Sequence, residues 1–178
     1  MRFITDNTVG SLRRWMSLMG YDVVYGGCSA RELVRDARVV AEGGLVIGRC
    51  PGLVARAKMA EKANHSTEQR SAIGKEAQAP FFHIASPVLT EQIAEVARLF
   101  PLDFRKTLFT RCTHCNLPLA GPMRLEGLAG DGPDQVPERV REWRETFFQC
   151  GGCGRVYWEG THTERVRKVL REDVGLDV

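Results

Sequence analysis

Over the first hundred residues, short apolar runs alternate with stretches of helical period, a pattern that predicts βαβ units on a mainly parallel sheet. The opening RFITD run reads as a strand ending at Asp6. Val9, Leu12, Met16 and Met19 then recur at steps of 3, 4 and 3, the apolar stripe of a helix with Asn7 as its candidate N-cap and Gly20 at its close. YDVVYG supplies a second strand. A helix is expected over 29–42, with Leu33, Ala37, Val40 and Ala41 on one face; Ser29 and Glu32 have capping-box spacing, and Gly43 and Gly44 break it. LVIGR is a third strand that runs out at Cys50 and Pro51. The alanine-rich stretch 53–63 favours another helix, whereas 64–80 is polar, without period, and reads as a loop or irregular insertion. FFHIA is a fourth strand, followed by a helix carrying Ile93, Val96, Ala97 and Phe100 and ended by Pro101.

Beyond about residue 110 the pattern gives way to paired cysteines, glycines and prolines, and this shift divides the chain into a first domain, 1–109, and a second, 110–178. Residues 120–138 hold too many helix and strand breakers for regular structure and are expected to form a long arm between the two cysteine pairs. TERVRKVLRED closes the chain as a basic helix with Val166, Val169 and Leu170 turned inward.

At 178 residues and 43% apolar content the chain can bury a real core. A net charge of +3 is compatible with a nucleic-acid partner without demanding one. No segment approaches the roughly 20 apolar residues of a membrane span, and Arg2, Asp6, Arg13 and Arg14 interrupt the apolar stretch a secretion signal needs, so a cytoplasmic protein is expected. In that reducing compartment six cysteines argue for metal ligation or free thiols.

RCTHCN and CGGCG each place two thiolates two residues apart, so Cys112, Cys115, Cys150 and Cys153 can close a tetrahedron around one structural Zn²⁺ with no position left for substrate. The long gap from Cys115 to Cys150 adds little entropic cost. The competing reading, a pair of thiol redox motifs, lacks the βαβ context it needs. His114 lies inside a knuckle as a bystander, and Tyr157 and Trp158 read as packing aromatics at the junction of ribbon and sheet.

Three strings, FITDNTVGSLRRWMSLMGYDVVY, RCTHCNLPL and FFQCGGCGRVYWEGTH, together resemble the Mut-seven carboxy-terminal RNase domain family. The resemblance implies an α/β fold: a PIN-like parallel sheet flanked by helices, then a four-cysteine zinc ribbon and a C-terminal helix. It also implies a metal-dependent ribonuclease whose acids gather at the carboxyl ends of the strands, where open α/β sheets place their sites. There carboxylates hold Mg²⁺ or Mn²⁺ ions that activate water against a phosphodiester.

Asp6 matches the family's first-strand acid. Ser29 and Ala30 stand where carboxylates are expected after the second strand, and the family's Thr-Arg-Asp after the third strand is Gly48, Arg49 and Cys50 here. A thiol is a poor Mg²⁺ ligand, so nuclease activity is expected to be weakened or lost. Glu32 and Asp36, one helical turn apart, remain as partners for Asp6 around a single ion. Arg13, Arg14 and Arg49 are the candidates for receiving an RNA backbone. Cys28 and Cys50 both follow strands and read as half-buried thiols, with a redox pair or soft-metal site as the alternative. RNA is thus the expected partner, and a catalytically inactive adaptor for RNA or protein is the alternative function.

Overall fold

The computed structural model describes residues 1–50 and 79–178, which fall into two compact units: 1–13 with 22–92, and 14–21 with 93–178. The helix expected over 53–63, and nearly all of the irregular stretch after it, lie outside the described residues. The second unit starts upstream of the composition shift at 110 and takes in a segment of the first helix.

In the first unit, β1 (Phe3–Thr5), β2 (Val23–Tyr25), β3 (Leu45–Gly48) and β4 (Phe81–His83) form one sheet in the order β2-β1-β3-β4. Every pairing is parallel, with Ile4 opposite both Val24 and Val46. Both faces of such a sheet must be covered, which is why its strands are nearly continuous apolar runs. Ile4 and Val46 pack with Leu33, Val34, Val39 and Ala79, and Cys28 and Cys50 flank this cluster as half-buried thiols. With β1 between β2 and β3, the strand order separates Cys28 from Cys50 by two strand spacings of about 5 Å each, too far for a disulfide.

Helix α1 (Gly10–Leu18) carries the expected stripe, with Val9, Leu12, Met16 and Met19 all buried. Asn7 is not its cap: the turn before the helix is closed by Asp6, whose carboxylate accepts from Thr8 N at 2.9 Å and Thr8 Oγ1 at 2.6 Å. The helix expected over 29–42 is two short ones, α2 (Ala30–Leu33) and α3 (Ala37–Ala41). Asp36 is the reason, because it sits in extended conformation with its carboxylate on Arg38 N at 2.8 Å and starts a new helix instead of continuing the old one. Helix α4 (Leu89–Leu99) opens with Ser86, whose hydroxyl accepts from Val88 N and donates to Glu91.

The second unit is built on a three-stranded antiparallel sheet, β5 (Leu119–Met123), β6 (Phe147–Cys150) and β7 (Val156–Tyr157), in that order. The stretch 120–138 is more ordered than its glycines and prolines suggested, since it contributes β5, two 3₁₀ turns and the approach to α6 (Glu138–Trp143). Gln149 makes this possible: its side chain accepts from Ala129 N and donates to Ala129 O and Gly154 O, which lashes the arm to the hairpin. Leu128 and Val136 can then pack on Phe147, with Val140, Val156 and Trp158 around them. A short helix, α5 (Phe104–Thr107), precedes the ribbon. Gly20 is required there by space and backbone, with φ +96° and the Thr107 carbonyl 2.5 Å from where a Cβ would stand. The last helix, α7 (Thr161–Glu172), buries Val166 and Leu170 and leaves Val169 half-buried. No helix among the described residues is long and apolar enough to cross a membrane.

Candidate functional site

At the carboxyl edge of the parallel sheet, hydrogen bonds carry the ladder past the strand ends: Asp6 N donates to Ile47 O, Gly26 N to Thr5 O and Asn7 N to Cys28 O. These bonds fix Asp6 at the centre of the edge, on β1 between its two neighbours. Its side chain is 1% exposed, a burial a carboxylate tolerates only with strong partners. Thr8 supplies two, and Thr8 Oγ1 in turn accepts Arg49 N at 3.0 Å, so the loops after β1 and β3 are tied through that hydroxyl. On its other side the carboxylate lies against Gly48: a Cβ built there would stand 2.8 Å from Asp6 Oδ1 and closer still to Oδ2.

The other two expected acids are engaged locally. Glu32 accepts from Ser29 N at 2.8 Å and Ser29 Oγ at 2.7 Å, and the Ser29 hydroxyl, followed by its amide, holds the Glu32 carboxyl below its ordinary range. Asp36 caps α3. Burial first, then the charges of Glu32, Asp36 and Asp6, raise the pKa of the Cys28 thiol, which therefore lies within electrostatic reach of all three carboxylates. Cys50 takes the position after Arg49 and is half-buried. Arg49 is half-buried, as is Arg13; Arg14 is exposed and belongs to the second unit.

Among the described residues, Cys112, Cys115, Cys150 and Cys153 are the group whose potential ligand atoms all lie within 4.8 Å of one another. Two knuckles with the same backbone pattern bring them there. Cys112 N donates to Leu117 O and Asn116 N returns to Cys112 O; Cys150 N donates to Arg155 O and Gly154 N returns to Cys150 O. Each knuckle turns on one left-handed residue, Asn116 at φ 62° and Gly154 at φ 70°. The turns aim amides at sulfur, with His114 N and Cys115 N 3.4 and 3.5 Å from Cys112 Sγ. Burial opposes ionisation of Cys112, but the Tyr157 hydroxyl at 3.0 Å and these amides outweigh it and bring the pKa down to about 6. Four soft donors held this closely fit a closed, structural metal site.

Sequence reasoning missed the roles of three residues, Tyr157 reading there only as a packing aromatic. Thr8 anchors Asp6, and the Asp-x-Thr spacing is itself a turn signal. The Tyr157 hydroxyl touches a ligand sulfur. Asn116 donates from Nδ2 to Ser17 Oγ and Tyr21 O, both at 2.9 Å, tying the first knuckle to 14–21. Only the left-handed requirement after a CxxC pair could have pointed to that position.

A parallel sheet with a buried carboxylate at its carboxyl edge, followed by a four-sulfur ribbon, defines an α/β protein with a cysteine cluster suited to a structural metal. The model of the family described as Mut7-C RNAse domain matches residues 1–170, and the chain belongs to that family. No curated protein and no solved structure matches the chain.

Proposed function

We propose that this chain acts on or binds RNA at the carboxyl edge of its parallel sheet, as a ribonuclease-family protein whose divalent-metal catalysis is weakened. The observation that carries this reading is Asp6: a nearly inaccessible carboxylate at the centre of the edge, facing a Gly48–Arg49–Cys50 corner that offers no second acid. Asp6 with Glu32 and Asp36 is the carboxylate set for Mg²⁺ or Mn²⁺, and Arg13 and Arg49, on the same unit, are the candidate phosphate contacts. A bound ion would supply activation of water and charge neutralisation at the phosphorus. Asp6 is held in place by Thr8, while Glu32 and Asp36 must first leave their caps, a cost that a free carboxylate at Cys50 would not carry. The sulfur quartet holds Zn²⁺ in this reading, as the ion best matched to four thiolates. Four cysteines gathered for a metal and two half-buried thiols, Cys28 and Cys50, fit a reducing compartment such as the cytoplasm.

The alternative is a silent adaptor for RNA or protein, favoured by the capping roles of Glu32 and Asp36. Purified protein incubated with single-stranded RNA in Mn²⁺ separates the two. Slow cleavage that Asp6→Asn abolishes and Cys50→Asp accelerates supports the enzyme. RNA binding with no cleavage in either the native protein or Cys50→Asp supports the adaptor.

A further inference from the structure

The second unit contains a cavity of about 590 Å³ whose lining belongs wholly to that unit. Its volume falls in the range of small-molecule sites, about 300–1,000 Å³. Phe109, Phe148, Tyr157 and Trp158 line it, each half-buried, so aromatic surface is offered to whatever enters. One face of Phe109 is taken by the Arg167 guanidinium, 5.0 Å from its centroid. The polar lining is cationic. Arg14 and His162 are exposed on the cavity and have no hydrogen-bond or ion-pair partner among the described residues. Glu159, the acid of the lining, is cancelled by Arg167 at 2.7 Å. Thr161, His162 and Thr163, the first three residues of the twelve-residue α7, also line the cavity, and their amides precede the first intrahelical donor, Glu164 N. Amides so placed attract an anion.

From these observations we infer that the cavity holds one unstacked nucleotide of single-stranded RNA. The base lies against the aromatic wall, and its phosphate meets Arg14, His162 and the start of α7. Stacking on aromatic faces tolerates any base, whereas paired bases cannot enter, which makes the pocket selective for single strands. An apolar peptide would leave Arg14 and the helix amides unmatched, and an anion alone would leave the aromatic wall unused. The inference rests on the reading of this chain as an RNA-acting protein, but it assigns a second site, built wholly from the second unit.

The test uses the full chain carrying Asp6→Asn, so that no cleavage intervenes, with the pentanucleotide r(A)₅ as probe and ribose 5-phosphate and a phosphotyrosine peptide as competitors. Binding of r(A)₅ should be saturable, and Arg14→Glu, His162→Ala and Phe148→Ala should each weaken it by about tenfold, the size of one stacked base or one phosphate contact. The two surface variants keep the test open should Phe148→Ala misfold. Unchanged r(A)₅ affinity in both Arg14→Glu and His162→Ala overturns the pocket while leaving an RNA role at the sheet edge intact. Equal competition by ribose 5-phosphate also overturns it, since the cavity is then an anion site alone, and preferential capture of the phosphopeptide assigns it to a protein partner. Failure of the native chain to bind any RNA would remove the wider RNA reading as well.

Discussion

The contact between Asp6 and Gly48 can be tested by adding one methyl group. In Gly48→Ala the new Cβ would fall 2.8 Å from Asp6 Oδ1 and nearer to Oδ2, so either the strand or the carboxylate must move. Strand β3 is pinned on both sides by β1 and β4, which leaves the carboxylate as the mobile partner. Overpacking a core position costs about 1–3 kcal/mol. Swinging the carboxylate away relieves that overpacking but forfeits the two hydrogen bonds from Thr8 N and Thr8 Oγ1, each bond to a charged group contributing about 1.5 kcal/mol at the low end. A loss of about 3 kcal/mol is therefore expected. At about 2–4 °C per kcal/mol for a chain of this size, the midpoint should fall by about 6–12 °C. Urea unfolding followed by circular dichroism measures it, with an unchanged m-value as the sign that only stability moved. A double-mutant cycle isolates the contact: in an Asp6→Ala background Gly48→Ala should cost less than about 1 kcal/mol. The same penalty in both backgrounds would refute the idea that the carboxylate occupies the space Gly48 leaves open.

Removing the ribbon's metal with a chelator at pH 7 should release one Zn²⁺ per chain and unfold the antiparallel sheet of the second unit, because metal binding there is folding free energy; release without loss of far-UV signal contradicts this. Asn116→Gly keeps the left-handed turn but removes the Nδ2 bonds to Ser17 Oγ and Tyr21 O, so stability should drop by about 1–3 kcal/mol with metal content unchanged; metal loss would show that the knuckle depends on the carboxamide. Glu32 has a folded pKa lowered by Ser29, so its stabilising effect is present above its ordinary value near about 4.3 and fades as pH falls through the lowered one. The stability gap between the native protein and Glu32→Gln should accordingly be constant from pH 6 to 8 and close on acidification, and a gap that persists at pH 2 counts against the cap.

The strands and the sulfur site were legible because their signals are local. Apolar runs at Phe3, Val23, Leu45 and Phe81 have the length and composition of buried strands, and a CxxC pair carries its own turn. The break between α2 and α3 was not legible, since Asp36 has the spacing of a helix-surface acid as well as that of a cap. Order in the arm depends on Gln149, whose carboxamide reaches Ala129 across 20 positions of sequence, and no local pattern reports such a bond. The packing of Asp6 on Gly48 was equally hidden, because it follows from the register of β1 on β3.

The two sites also differ in how their parts depend on the fold. Each sulfur knuckle closes within six residues through its own pair of backbone bonds, so the ligands are placed by chain that is theirs alone. An acid site at the edge of a parallel sheet draws one group from each of several strand ends. The backbone bonds that set those ends, Asp6 N to Ile47 O and Ile84 N to Gly48 O among them, are indifferent to the side chains that follow. A thiol at such an end leaves the sheet register untouched, as the intact pairing of β1 with β3 beside Cys50 illustrates. Membership of the family and a well-formed sheet therefore carry little information about turnover, and the chemistry must be judged from the ligand count at the edge. This is why Cys50→Asp is informative: it alters that count by one while leaving the scaffold that holds Asp6 as it was.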